Sequence, residues 1–204
     1  STIPDALPPE YREELAKLQA DAPSMGWLFV KRRMMTELGN DWQKKFTSFE
    51  KQSSSAASLG QVHKAISIDG KNLACKLQYP DMQSAIEADL KQLKLAFNLY
   101  ERADKAISTK SIHKELSARL AEELDYKREA SNLKLYSAIL KSEKNVFVPD
   151  VIDNLSADRL LTMNWLEGNK LVDWLERKPT LKSRNNVAVN MFKAWYIPFY
   201  FYGV

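Results

Sequence analysis

The stretch Ser55-Ala56-Ala57-Ser58-Leu59-Gly60-Gln61-Val62-His63-Lys64-Ala65-Ile66-Ser67-Ile68-Asp69-Gly70-Lys71-Asn72-Leu73-Ala74-Cys75-Lys76-Leu77-Gln78 decides the fold. From Val62 to Ile68 apolar and polar residues alternate, Asp69-Gly70 is a hairpin turn signal, and Leu73 to Gln78 reads as the returning strand. Upstream, Phe46 to Phe49 is a short strand candidate, and Lys51 to Gly60 is a loop of small residues. Side chains on a strand point alternately to its two faces. Leu73, Cys75 and Leu77 therefore share one face, while Ala74, Lys76 and Gln78 share the other.

Helical patterning surrounds these strands. Pro8-Pro9 precedes Tyr11, Leu15 and Leu18, and a second amphipathic run from Leu28 to Leu38 is ended by Gly39-Asn40. Pro80 ends the lysine strand and opens a helix with Ile86, Leu90, Leu93 and Phe97 at three- and four-residue spacing. A second long helix follows Ser111, with Leu116, Leu120 and Leu124 on one stripe and Leu133, Tyr136 and Leu140 continuing it. Val146 to Ile152 and Arg159 to Trp165 are further strand candidates, separated by the polar turn Asp153-Asn154-Leu155-Ser156. After Gly168 the chain reads as helical to its end. Strands and helices segregate as in an α+β fold, a small antiparallel sheet plus long helices.

Composition sets broad limits. The 204 residues are 45% hydrophobic and 27% charged, ordinary for a globular chain. The net charge of +4 is spread over interleaved basic and acidic residues, which argues against nucleic acid as the main partner. A single cysteine, Cys75, excludes an internal disulfide and fits a reducing compartment. The apolar run from Ala194 to Tyr202 is about half the roughly 20 residues a membrane-spanning helix needs.

Four features could serve chemistry, and each also has a purely structural reading. Ser55 to Gly60 lets backbone N–H groups approach an anion, or is a polar hairpin loop. Lys76 could reach phosphate oxygens past the small Ala74, as the lysine of the V-A-I-K strand does in kinases, or lie on a solvated face. Glu122-Glu123-Leu124-Asp125-Tyr126-Lys127-Arg128-Glu129 places Glu122, Asp125 and Glu129 on one face of a continuous helix, a surface that could equally be solvated. Arg159 to Gly168 is a buried strand running into a connector, where Met163, Asn164 and Leu166 could meet an adenine edge or be plain core. Their order along the chain, loop, lysine strand, acidic helix and strand-to-Gly connector, is that of a kinase N-terminal lobe. His63, His113 and Cys75 read as structural.

These residues resemble the UbiB family, the aarF-domain-containing atypical kinases, which in mitochondria supports coenzyme Q production. Ser55-Ala56-Ala57-Ser58-Leu59-Gly60-Gln61-Val62-His63 looks like the family's alanine-rich loop, with Ser55 in place of its first alanine. Ala74-Cys75-Lys76-Leu77-Gln78-Tyr79-Pro80 looks like its lysine strand, Glu123-Leu124-Asp125 like its E-x-D motif, and Glu129 like the helix glutamate that pairs with the lysine. The K-x-G-Q motif and the catalytic-loop and metal-binding aspartates are not in the chain.

The resemblance implies a protein-kinase-like N-terminal lobe over 46–166, a helical N-terminal extension over 1–45, and the start of a helical C-terminal lobe over 167–204. It implies ATP held by Ser55, Ala56, Ala57, Ser58, Leu59, Gly60, Ala74, Lys76, Met163, Asn164 and Leu166, with Lys76 and Glu129 as an ion pair placing the phosphates. Mg²⁺ is implied with ligands beyond Val204, so the chain as it stands is expected to be inactive. Implied partners are an isoprenoid lipid or quinone-biosynthesis proteins, with peripheral membrane contact on a cytoplasmic or organelle-matrix side; a non-catalytic pseudokinase module binding lipid or protein is the other reading. One point of geometry stands out. Glu123 and Asp125 are two apart and roughly opposite on an ideal helix, so either the helix is irregular there or the two carboxylates face different partners.

Overall fold

The computed structural model describes residues 25–57, 59–103 and 109–204. The helical reading around Tyr11 to Leu18, and Ser58 of the loop, lie outside the described residues.

Helix α1 (Trp27–Leu38) ends at Gly39, whose φ of 88° suits a residue without a Cβ. Strand β1 (Phe46–Phe49) follows, then β2 (Ser55–Ala57), β3 (Gly60–Ser67) and β4 (Asn72–Gln78). Part of the predicted small-residue loop is thus a strand, because Ser55–Ala57 hydrogen-bonds back onto the start of β3. The β3–β4 hairpin turns at Asp69-Gly70, with Gly70 at φ 80°. Helices α2 (Met82–Ala103), α3 (Thr109–Glu123) and α4 (Tyr126–Ile139) precede β5 (Leu160–Asn164), and α5 (Leu171–Glu176) and α6 (Leu181–Ile197) follow it. The sheet is antiparallel, in the order β1-β3-β4-β5, with β2 also pairing β3. Its small size and the helices around it make the fold α+β.

Two expectations change. Val146 to Ile152 forms no strand; it lies along β5 and touches it through one bridge, Val151 to Met163. The single long helix after Ser111 is two helices, broken at Leu124-Asp125.

The core forms where one face of the sheet meets α1. Leu73, Cys75, Leu77 and Leu160 are buried against Val30, Met34, Trp42 and Phe46. Trp42 sets its ring edge-on to Phe46 and Phe49, with centroids 6.2 and 5.3 Å away. Burial pushes the Cys75 thiol up to about 12, so it is an inert core group. Polar residues of β3 enter this core fully partnered. His63 Nδ1 donates to the Glu50 carbonyl at 2.8 Å, leaving Nε2 to accept from the Gln61 amide at 2.8 Å. The Gln61 carbonyl in turn accepts from Met25 N–H at 2.7 Å. That network requires a neutral imidazole. His113 ties α3 to α2 through the Leu90 carbonyl at 3.0 Å.

At the C-terminal end Trp195, Phe199, Tyr200 and Phe201 are exposed within this chain. Among the described residues no helix is long and apolar enough to cross a membrane.

Burial lowers the His63 pKa below 6.5. The unfolded chain then binds more protons than the folded one just below that value, so stability falls with the pH. In urea unfolding from about pH 7.5 to about pH 5.5, the stability advantage of the native chain over His63→Leu should shrink steadily as the pH drops.

Candidate nucleotide site

The face of the sheet opposite the core carries the candidate site, and strand register assembles it. On β4, Lys76 stands opposite Val62 of β3 and Leu161 of β5, and Ala74 stands opposite Lys64 and Met163. Cross-strand partners share a face, so Val62, Lys64, Ala74, Lys76, Leu161 and Met163 form one surface.

Lys76 Nζ donates to both carboxylate oxygens of Glu129, at 2.8 and 2.7 Å. The side chains keep 18% and 36% exposure, so the pair stands at the rim of the site, open to a ligand. A cavity of about 560 Å³ adjoins it, lined by Lys76, Arg119, Glu122, Glu123, Arg128, Glu129 and Asn132.

The helix break explains how Glu129 arrives there. Asp125 is the N-cap of α4, its carboxylate accepting from the Arg128 N–H at 2.9 Å. Glu129 follows in the first turn of that helix, where a carboxylate is favoured by the helix dipole. Glu122, Asp125 and Glu129 therefore do not form one helical stripe. Glu123, at the last position of α3, lines the cavity beside Lys76, whereas Asp125 borders a different cavity with Gln78, Ile86 and Leu124. Both halves of the sequence alternative hold: the helix is irregular, and the two carboxylates face different surroundings. Glu122 pairs with Arg119 at 3.1 Å and Arg128 at 3.0 Å.

The loop is a tight hairpin in which Ala57 pairs with Gly60, and Ser55 and Ala56 are exposed. Gly60 lies hard against β4: a Cβ there would fall 2.3 Å from the Leu77 carbonyl oxygen. The Leu59 carbonyl accepts from the Tyr79 N–H at 3.1 Å, tying the turn to the strand end.

At the connector, Met163 faces the site but the Asn164 side chain does not. Its amide donates to the Asp150 carboxylate at 3.2 Å. The N–H groups of Asn164 and Trp165 are already bound by the Asp150 and Asn72 carbonyls, at 3.0 and 2.9 Å. An adenine edge would therefore be met by backbone groups from Leu166 onward, or by carbonyl oxygens.

Three participants were not singled out from the sequence. Lys64 lies 4.8 Å from the Trp165 ring centroid and 3.2 Å from the Glu167 carboxylate, which it holds below the usual carboxylate pKa. Val62 stands opposite Lys76 across the hairpin. Tyr126 packs beneath the ammonium, 4.9 Å from its ring centroid. Alternation counted back from the Asp69-Gly70 turn gives Val62 and Lys64 their face; nothing local marks Tyr126.

The chain matches the ABC1 atypical kinase-like domain over residues 17–201. It is 34% identical to the atypical kinase coq-8, mitochondrial, of Caenorhabditis elegans, over 88% of this chain and 23% of that protein. It is 30% identical to the atypical kinase COQ8, mitochondrial, of Saccharomyces cerevisiae, over 92% of this chain and 37% of that protein. A solved Mycobacterium tuberculosis structure, Rv3197 in complex with erythromycin, superposes with a TM-score of 0.69 at 32% identity, covering 88% of this chain and 46% of that one. The sheet and helices accordingly form a kinase-like N-terminal lobe, and the chain spans well under half the length of these curated relatives.

The Asp125 cap gives a first check. Asp125→Ala should lower stability by about 1 kcal/mol in urea unfolding, and Asp125→Asn, which can still accept from Arg128 N–H, should recover most of it.

Proposed function

The chain belongs to the ABC1 atypical kinase-like family, the UbiB or aarF group, and on that premise we propose that it is the ATP-binding lobe of an atypical kinase or ATPase serving isoprenoid-quinone (ubiquinone) biosynthesis. One observation carries this reading: the bidentate contact of Lys76 with Glu129 on an open sheet face beside a cavity of about 560 Å³. In the proposed complex the Lys76 ammonium turns to the phosphate oxygens while Glu129 holds it from behind. Gly60 lets the hairpin backbone close over the phosphates, and Val62, Ala74 and Met163 form the apolar bed for the base.

Mg²⁺, when bound, would offset the phosphate charge. Among the described residues no group of three or more His, Cys, Asp or Glu side chains is placed to hold a metal ion, and the ligands are proposed to lie outside them. The mitochondrial relatives favour an organelle location, with peripheral membrane contact and an isoprenoid-lipid substrate or quinone-biosynthesis partners as part of the same proposal.

In the full-length protein, Lys76→Ala should weaken Mg-ATP binding about 10- to 100-fold, the worth of a hydrogen bond to a charged group. Calorimetric titration measures this directly. Unchanged affinity would remove Lys76 from the site and the proposal with it.

A further inference from the structure

Tyr126 touches both halves of the proposed nucleotide site. It is the first residue of α4, directly after the Asp125 cap, and is 2% exposed. The ammonium that Glu129 holds also lies 4.9 Å from the Tyr126 ring centroid, so one helix offers Lys76 both a carboxylate and an aromatic face. At the far end of the ring the phenol oxygen reaches the loop, where a Cβ on Gly60 would come within 3.0 Å of it.

That oxygen is buried and, among the described residues, has no hydrogen-bond partner. Burial first, then the charges of Glu129 and Glu123, push its pKa up, so it stays protonated and uncharged. An unpartnered buried hydroxyl is unfavourable, and a phenylalanine would pack the same space without it. What the position supplies to Lys76 is the electron-rich ring face, which attracts an ammonium within about 6 Å.

We propose that Tyr126 is a positioning residue: its ring fixes the Lys76 ammonium beside Glu129. Glu129 alone leaves the ammonium free to swing about the carboxylate axis. The ring adds a second direction of attraction and removes that freedom before nucleotide arrives.

This inference rests on the reading of Lys76 as a phosphate ligand, and the test separates the two. In the full-length protein Tyr126 is replaced by phenylalanine and then by phenylalanines with one, two and three ring fluorines. Fluorine drains the ring face of electron density at almost constant shape, so a packing role predicts a flat series. The proposal predicts Mg-ATP affinity falling at each step, about tenfold in all. A flat series, alongside a large loss for Lys76→Ala, overturns the role of Tyr126 and leaves the nucleotide site standing. If Lys76→Ala is silent as well, both fall together.

Discussion

Lys76 reaches Glu129 because two separate constraints meet at one point. The pleat of β4 must turn residue 76 away from the core, and the chain must break its helix so that a new N-terminus points Glu129 at the sheet. The first is fixed by alternation, since Leu73, Cys75 and Leu77 claim the buried face. The second is fixed by Asp125, which ends one helix environment and caps the next. A one-residue slip in the β3–β4 register would bury the ammonium and expose Cys75, so the Asp69-Gly70 turn that sets the register governs the site as well.

The helix break also gives Glu123 and Asp125 separate places. On a continuous helix, carboxylates two apart point in roughly opposite directions and could not cooperate. With the break, Glu123 closes α3 beside the Lys76 cavity and Asp125 opens α4. One carboxylate faces the site, and the other builds the helix that brings Glu129 and Tyr126 to it.

Much of this could be read from the sequence because it depends on local pattern. The hairpin, the two faces of β4, the helix after Pro80 and the stop at Gly39 follow from alternation, turn chemistry and capping. Four features were not legible from local pattern. Val146 to Ile152 has strand-like composition, but it meets the outer edge of β5 through a single bridge, at Val151. The leucine stripe of α3 runs on into α4 with helical spacing, so it hides a break that a capping aspartate decides. Asn164 reads as a connector residue open to ligand, yet Asp150, fourteen positions earlier, holds both its side chain and its N–H. Tyr126 gave no signal, because its significance lies in Gly60 and Lys76, far away in sequence.

The exposure of the ion pair bears on what it is for. With 18% and 36% of its side-chain surfaces in contact with solvent, the pair is screened in part. Stability comes from the other face of the same strand, where Leu73, Cys75 and Leu77 are at most 1% exposed. The two faces of β4 thus serve different ends: the buried one holds the strand in place, and the other holds Lys76 beside Glu129 and Tyr126. An ammonium locked in a dry ion pair would resist release, since separating buried charges is expensive. In the proposed complex Lys76 turns toward a phosphate without disturbing the core beneath it, and the rigidity of that core keeps its position defined.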